Sequence, residues 1–379
     1  MKKAIKATLL VSALALSGMA RADITVGVVL SLTGPGSGLG IPTSNGFKLW
    51  PETIGGEKVK LIVLDDATDP TQGSKNARRL VEEEKVDVII GSASVPPTLA
   101  IADVARDTQT VQLAIAPIEL PEGRDTWTFR LPQATGVMAE GVINHMKAKG
   151  VKTFAFLGYS DAYGEVWLKE MTRLAKQAGI TLTTAERFGR ADTSVTAQAL
   201  RVISSNPDAV LVVASGSGAA MPHKTLIERG YKGKIYQTHS AASRDLIRLG
   251  GKDVEGSFVI SGPAVMPEIL ADTNPSKKLA ADYVQRYEKV FGTGTRNQFA
   301  AHTYDAGIVL QRAVPEAMKK AKPGTPAFRA ALRDALENIG AVPISQGVIH
   351  YTAKDHFGLA GDNARVMITV QGGNWKSAD

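Results

Sequence analysis

Small hydroxyl residues and glycines follow short β-branched runs along this chain, and those loops are where its chemistry could reside. They are Thr33-Gly34-Pro35-Gly36-Ser37-Gly38-Leu39-Gly40, Gly91-Ser92-Ala93-Ser94-Val95, Pro117-Ile118-Glu119, Tyr159-Ser160-Asp161-Ala162-Tyr163-Gly164, Ser215-Gly216-Ser217-Gly218 and His239-Ser240. Two of them invite an enzymatic interpretation that their spacing does not sustain. Gly36, Gly38 and Gly40 alternate, but the dinucleotide fingerprint needs glycine at the sixth position, where Ile41 stands. Ser215 to Gly218 lacks the lysine of a phosphate loop. Both fit turns where the backbone bends sharply. A nucleophile elbow requires Gly-x-Ser-x-Gly, and Gly91 to Val95 departs from it in the serine spacing and the final glycine. The six histidines, at 145, 223, 239, 302, 350 and 356, show no ligand spacing that would hold a metal. No catalytic set, metal site or cofactor is expected.

What remains are hydroxyls, bare amides and a few aromatics, groups that bind rather than react. Ser94, with the amides that follow Ser92, could grip a carboxylate, because donors at a helix amino end match negative charge without a counter-charge. The alternative is that Ser92 and Ser94 only cap the helix from Pro97 to Asp107.

The elements that must position these loops alternate regularly. Strands are expected at Ile24 to Leu32, Val59 to Asp65, Val86 to Gly91 and Val111 to Ala116, then at Thr153 to Gly158, Thr181 to Phe188, Ala209 to Ala214, Ile235 to Thr238 and Ser257 to Ser261. Helices are expected at Thr71 to Lys85, Ala162 to Ala178 and Ser194 to Ser205, started by Asp69-Pro70, Asp161 and Asp192-Thr193-Ser194, the second of them stopped by Gly179. This is the α/β pattern of parallel sheets covered by helices, and in such sheets ligands gather beyond the carboxyl ends of the strands. Pro263 to Pro275 reads as a linker. Beyond it come helices at Ser276 to Phe291, Thr303 to Ala321 and Ala327 to Asn338, and a final strand pair at Val348 to Tyr351 and Arg365 to Gln371. So short a tail completes two lobes already begun rather than forming a third.

The chain has 379 residues, 44% of them hydrophobic and 21% charged, enough for a large core in two domains. It contains no cysteine, so disulfides, thiol nucleophiles and iron–sulfur clusters are excluded. The formal charge of +7 does not imply a nucleic-acid partner: Lys2, Lys3, Lys6 and Arg21 lie in the first 22 residues, leaving +3. Those residues also carry an apolar run from Ala7 to Leu16 and the Ala20-Arg21-Ala22 pattern of a leader-peptidase site. A signal peptide over residues 1–22, cleaved after Ala22, and an exported, periplasmic protein not embedded in a membrane are expected. The competing interpretation is an uncleaved anchor helix.

The segments Leu61-Ile62-Val63-Leu64-Asp65-Asp66, Asp69-Pro70, Ala77-Arg78-Arg79-Leu80-Val81 and Lys85 to Gly91 resemble the substrate-binding proteins of branched-chain amino-acid-type ABC importers. So do Leu32-Thr33-Gly34-Pro35, Asp161-Ala162-Tyr163-Gly164 and Thr303-Tyr304-Asp305-Ala306, in the same order over nearly the whole mature chain. The resemblance implies a type I periplasmic binding fold: two doubly wound, Rossmann-like lobes joined by three crossings, placed near Gln133 to Gly136, Gly262 to Pro263 and Ser345 to Gly347. Residues 23–135 with 263–345 would form one lobe, and 136–262 with 346–379 the other. It further implies a monomer that closes on a small ligand and presents it to an inner-membrane ABC permease.

The resemblance also implies site residues. The Ala93 backbone and Ser94 hydroxyl would hold a ligand carboxylate, Ile118 and Glu119 would form the next loop, and Tyr163 would lie over the ligand, with Ser215 and Gly216 completing the second lobe's side. Two positions depart from the amino-acid binders. His239 stands where they carry an acid for the ligand ammonium, and Leu39 where they carry a stacking tyrosine, while Phe299 keeps an aromatic. An ammonium buried without a carboxylate is costly, by several kcal/mol per ion on the order-of-magnitude scale. These departures imply a small carboxylate without an ammonium, an aromatic acid of the benzoate or cinnamate kind. Glu119, if it faces the cleft, keeps a branched-chain or other hydrophobic amino acid open as the alternative. From another class, an exported α/β hydrolase would need a nucleophile, base and oxyanion site these loops do not supply. A sensory domain feeding a separate kinase would use the same trap.

Overall fold

A computed structural model describes residues 23–359 and 361–378; the expected signal peptide lies outside the described residues. In the first lobe the chain runs through β1 (Ile24–Leu30), α1 (Ser37–Asn45), β2 (Thr53–Ile54), β3 (Glu57–Asp65), α2 (Pro70–Glu82), β4 (Val88–Gly91), α3 (Val95–Asp107), β5 (Val111–Ala114) and β6 (Thr128–Arg130). Helix α4 (Thr135–Ala148) leads to the second lobe, which holds β7 (Thr153–Tyr159), α5 (Ala162–Ala178), β8 (Thr181–Phe188), α6 (Thr196–Ser204), β9 (Ala209–Val213), α7 (Ala220–Glu228), β10 (Lys234–Gln237), α8 (Arg244–Gly250) and β11 (Phe258–Ser261). Then follow α9 (Lys277–Phe291), α10 (Gln298–Met318), α11 (Pro326–Glu337), β12 (Val342–Ile344), β13 (Gly347–Ile349), β14 (Val366–Gln371) and β15 (Asn374–Ser377).

The first sheet has the order β2-β3-β1-β4-β5-β6 and the second β15-β14-β11-β10-β9-β7-β8. Strand β1 pairs in parallel with both β3 and β4, and β7 with both β8 and β9, so each sheet reverses its winding beside its first strand. A crevice opens at such a reversal, and the loops leaving the strand ends there are free to meet a ligand. The expected two-lobed, doubly wound α/β architecture is observed.

Local chemistry explains the helix that matters most to the cleft. Asp161 Oδ1 accepts from the amides of Tyr163 at 3.0 Å and Gly164 at 3.3 Å, and Gly179 ends the helix at φ +71°. Capping fixes Tyr163 in the first turn of α5, directly over the end of β7. Helix α6 starts two residues later than expected, at Thr196, whose amide donates to Ser194 Oγ at 3.4 Å, while Asp192 accepts from the Gly189 amide in the preceding turn.

The tail is where expectation and structure part most. Residues 348–351 and 365–371 are not paired with each other; β13 pairs with β12, whereas β14 joins the second sheet against β11. Ile349, Tyr351, Leu359 and Ala364 pack into the core under the first sheet. Tyr351 donates to the Arg130 carbonyl at 2.7 Å, and the Arg130 amide donates to the His356 carbonyl at 2.8 Å. These contacts hold residues 347–359 and 361–364 to the first lobe, so the third crossing lies near Arg365 rather than at Ser345 to Gly347. Buried glutamines tie the crossings together: Gln133 donates to the Ala364 carbonyl at 2.7 Å, and Gln298 Oε1 accepts from the Gly262 amide at 2.8 Å.

Candidate ligand-binding cleft

The lobes touch across the cleft. A Cβ added to Gly216, whose φ is +52°, would lie 3.1 Å from the carbonyl carbon of Gly38, so the loop after β9 rests on the start of α1. Val95, Ala116 and Ile118 from the first lobe pack in one apolar cluster with Tyr163 and Trp167 from the second.

From the first lobe, Ser92 and Ser94 face different ways. The Ser92 hydroxyl donates to Asp66 at 2.6 Å, and Asp66 also accepts from Ser31 at 2.7 Å and the Thr68 amide at 2.8 Å, so Asp66 anchors this loop from beneath. Ser94 occupies the N-cap position of α3 without capping it, and its buried Oγ has no partner. The amides of Ala93 and Ser94 donate to no other group among the described residues. Together they form a donor set at the amino end of a helix, which favours an anion. The simple capping interpretation of Ser94 therefore does not hold. Leu39 and Phe299 are buried yet belong to none of the four hydrophobic clusters that make up the lobes' cores.

Ile118 and Glu119 diverge from the expected roles. The Ile118 amide is spent on the Ala116 carbonyl at 2.8 Å, leaving its buried side chain as an apolar wall. Glu119 is exposed and pairs with Lys169 of α5 at 3.5 Å. The acid on that loop thus makes an ion pair with the facing lobe.

From the second lobe, the Tyr163 hydroxyl donates to Thr238 at 2.7 Å, and burial pushes its pKa up to about 12. His239, in the 3-10 turn after β10, is buried, with its ring 5.8 Å from Trp167 and 6.2 Å from Tyr163. Its Nδ1 has no partner, and burial pulls its pKa down to about 4. Ser215 is occupied: Arg190 Nη1 donates to its hydroxyl at 3.0 Å, while Arg190 Nε pairs with Asp161 at 2.5 Å and its guanidinium lies 4.2 Å over the Tyr159 ring. Gly216 contributes the backbone contact to Gly38.

The sequence pattern did not single out Trp167, Arg190 or His302. Trp167 Nε1 and His302 Nδ1 are buried and unpartnered. Burial, with the nearby His239 as second cause, lowers the His302 pKa to about 3. Asn297 caps α10 through the Ala300 amide at 2.8 Å, so the helix begins before Thr303 and puts Phe299 and His302, three apart, on one face. Asn297 before an apolar stretch was the available signal.

These loops meet at the facing strand ends of two doubly wound lobes. Residues 23–373 match the family described as periplasmic binding protein. The chain belongs to that family. An extracellular ligand-binding receptor from Rhodopseudomonas palustris superposes with a TM-score of 0.93 at 45% identity, covering 95% of this chain and 100% of that one. The Leu/Ile/Val-binding protein BraC3 of Rhizobium johnstonii is 26% identical over 370 residues, 92% of each chain. A solute-binding protein of an R. palustris ABC transporter, solved in complex with benzoate, shares the fold with a TM-score of 0.78 at 18% identity, covering 94% of this chain and 96% of that one. This periplasmic binding protein has no helix among its described residues long and apolar enough to cross a membrane.

Proposed function

We propose that this periplasmic binding protein captures a small carboxylate without an ammonium, an aromatic acid of the benzoate or cinnamate kind, and delivers it unchanged to an inner-membrane ABC permease. The observation that carries the reading is a mismatch between buried acids and free donors. The four buried acids among the described residues are all engaged away from the ligand space: Asp66 with serines, Asp87 with the Thr25 and Gly324 amides, Glu170 with Arg173, and Asp305 with Ser345. Among the residues of the cleft loops described above, the unpartnered groups are instead the Ser94 hydroxyl, the Trp167 indole and the imidazoles of His239 and His302, both imidazoles held neutral by burial. An anion gains donors there, whereas an ammonium finds no counter-charge.

Leu39, Ile118, Phe299 and Tyr163 supply an apolar body around that donor set. The benzoate carried by a protein of the same fold supports the ligand class. The name of the Rhizobium relative favours the second reading, a branched-chain amino acid. A thermal-shift series decides between them, because a ligand present at a hundred times its Kd adds about 2.7 kcal/mol to folded stability. Benzoate- and cinnamate-type acids should raise the melting temperature, with leucine, isoleucine and valine inert. The reverse pattern would transfer the assignment to amino acids. Mass spectrometry of ligand retained by the native protein gives an independent answer.

A further inference from the structure

Three strands end side by side in the second lobe, in the order β9-β7-β8, and one cation reaches across all of them. Arg190 follows β8. Its Nε meets Asp161 after β7 at 2.5 Å, its Nη1 donates to the Ser215 hydroxyl after β9 at 3.0 Å, and its guanidinium lies 4.2 Å over the Tyr159 ring between them. Tyr159 completes the link. Its hydroxyl accepts from the Ser215 amide at 3.3 Å, and a Cβ on Gly164 would sit 1.8 Å from its carbonyl oxygen, so this residue spans from the start of α5 to the loop after β9.

The two loops that Arg190 joins are also loops that meet the first lobe. Asp161 holds the amides of Tyr163 and Gly164, and Tyr163 packs with Val95, Ala116 and Ile118; Gly216, next to Ser215, lies against Gly38. A planar guanidinium suits such a link, because its donors hold fixed directions that a lysine ammonium cannot serve together. The ion pair is sheltered, with side-chain exposures of 12% for Arg190 and 23% for Asp161, so salt screens it little.

We infer that Arg190 is a positioning residue for ligand capture: it fixes the Tyr163 turn and the Ser215-Gly216 loop as one rigid closing face. A face ordered in advance loses less freedom when the lobes close, and that gain appears in how long the ligand stays. The inference rests on the cleft as the ligand trap, whichever acid it holds.

The test combines two measurements on wild type, Arg190→Met, Arg190→Lys and Ser215→Ala. Amide hydrogen exchange on the ligand-free protein reads the loops directly. Arg190→Met should speed exchange about tenfold at Tyr163, Gly164 and Ser215 while distant strands keep theirs. Arg190→Lys, which can still pair with Asp161, should restore Tyr163 and Gly164 but not Ser215. Stopped-flow tryptophan fluorescence with benzoate, cinnamate and leucine then gives the rates. With whichever probe binds wild type, Arg190→Met should raise the dissociation rate about tenfold and change association by less than about threefold. Adding Ser215→Ala to Arg190→Met should cost nothing further, since the link is already cut. Unchanged rates, with or without faster exchange, make Arg190 a structural residue and overturn the inference. So does exchange at the three amides that matches wild type or rises throughout the chain. Should no probe bind wild type, both ligand readings fall and the exchange pattern alone decides. Should Arg190→Met fail to fold, Ser215→Ala, which cuts one end of the link, must speed exchange at Ser215 and hasten dissociation by about threefold, or the inference fails.

Discussion

The carboxylate of Glu119, on the loop after β5, lies 3.5 Å from Nζ of Lys169 on α5, and this ion pair joins the two lobes at the outer edge of the cleft. Both partners are substantially exposed, so water and salt screen the attraction. An exposed pair of this kind adds only modestly to closure.

Lys169→Gln should therefore weaken ligand affinity by about threefold or less, an effect of the size exposed pairs produce. Raising the salt to roughly 0.5 M, where screening acts over a few Å, should bring wild type and variant together. A large loss that persists in high salt, read by titration calorimetry, would mean that Glu119 acts on the ligand after all.

Ser92 and Ser94 stand two apart and should respond oppositely to truncation. Ser92→Ala removes a 2.6 Å bond to buried Asp66 and should cost about 1–3 kcal/mol in a denaturant melt. Ser94→Ala removes a hydroxyl that caps nothing, so apo stability should hold, while affinity for the carboxylate ligand should fall about tenfold. Equal stability losses in the two variants would show that Ser94 is a structural cap.

The buried imidazoles link stability to pH in a known direction. An unfolded His302 takes up its proton near the ordinary value of 6.5, whereas the folded one resists protonation down to about 3. The unfolded chain then binds more protons below 6.5, so this residue's linkage lowers stability as pH falls from 6.5 toward 3 and is absent above 6.5. Asp305, pushed up to about 8 by burial, works the other way, losing stability as pH rises between its ordinary value of 3.8 and 8. Asp305 is common to wild type and His302→Leu, so comparing the two isolates the histidine. Between pH 7.5 and 4.5 the wild type should lose roughly 2 kcal/mol more than the variant. Parallel curves would mean that the His302 ring is solvated.

Most of the scaffold was legible because alternation and caps are local. The runs that became β1, β3 and β7 to β11 draw on β-branched or aromatic residues, and Asp161 with Gly179 brackets α5 by local chemistry. Long-range pairing was not legible. Val348 to Tyr351 and Arg365 to Gln371 both read as strands, but nothing local says that the first stays under β1 while the second crosses to β11. The site divides in the same way. Ser94, Tyr163 and His239 sit at helix or turn starts fixed by neighbouring residues, whereas the fate of Glu119 depends on a lysine fifty residues later, and His302 was hidden by starting α10 at Thr303 instead of Gln298.

Closure itself can be tested at one glycine. Gly216 holds φ +52°, a region that costs a side-chain-bearing residue about 1 kcal/mol, and its α-carbon faces the Gly38 backbone with no room to spare. Alanine there would place a Cβ 3.1 Å from the Gly38 carbonyl carbon and 3.2 Å from its Cα, so the lobes must stand slightly apart. The ligand contacts from each lobe alone survive, but those that require both lobes lengthen together. Gly216→Ala should then weaken the ligand more than tenfold while shifting the apo melt only by the backbone cost, and small-angle scattering with saturating ligand should show a less compact particle than wild type. A variant that binds and compacts like wild type would show that this approach is incidental to the trap.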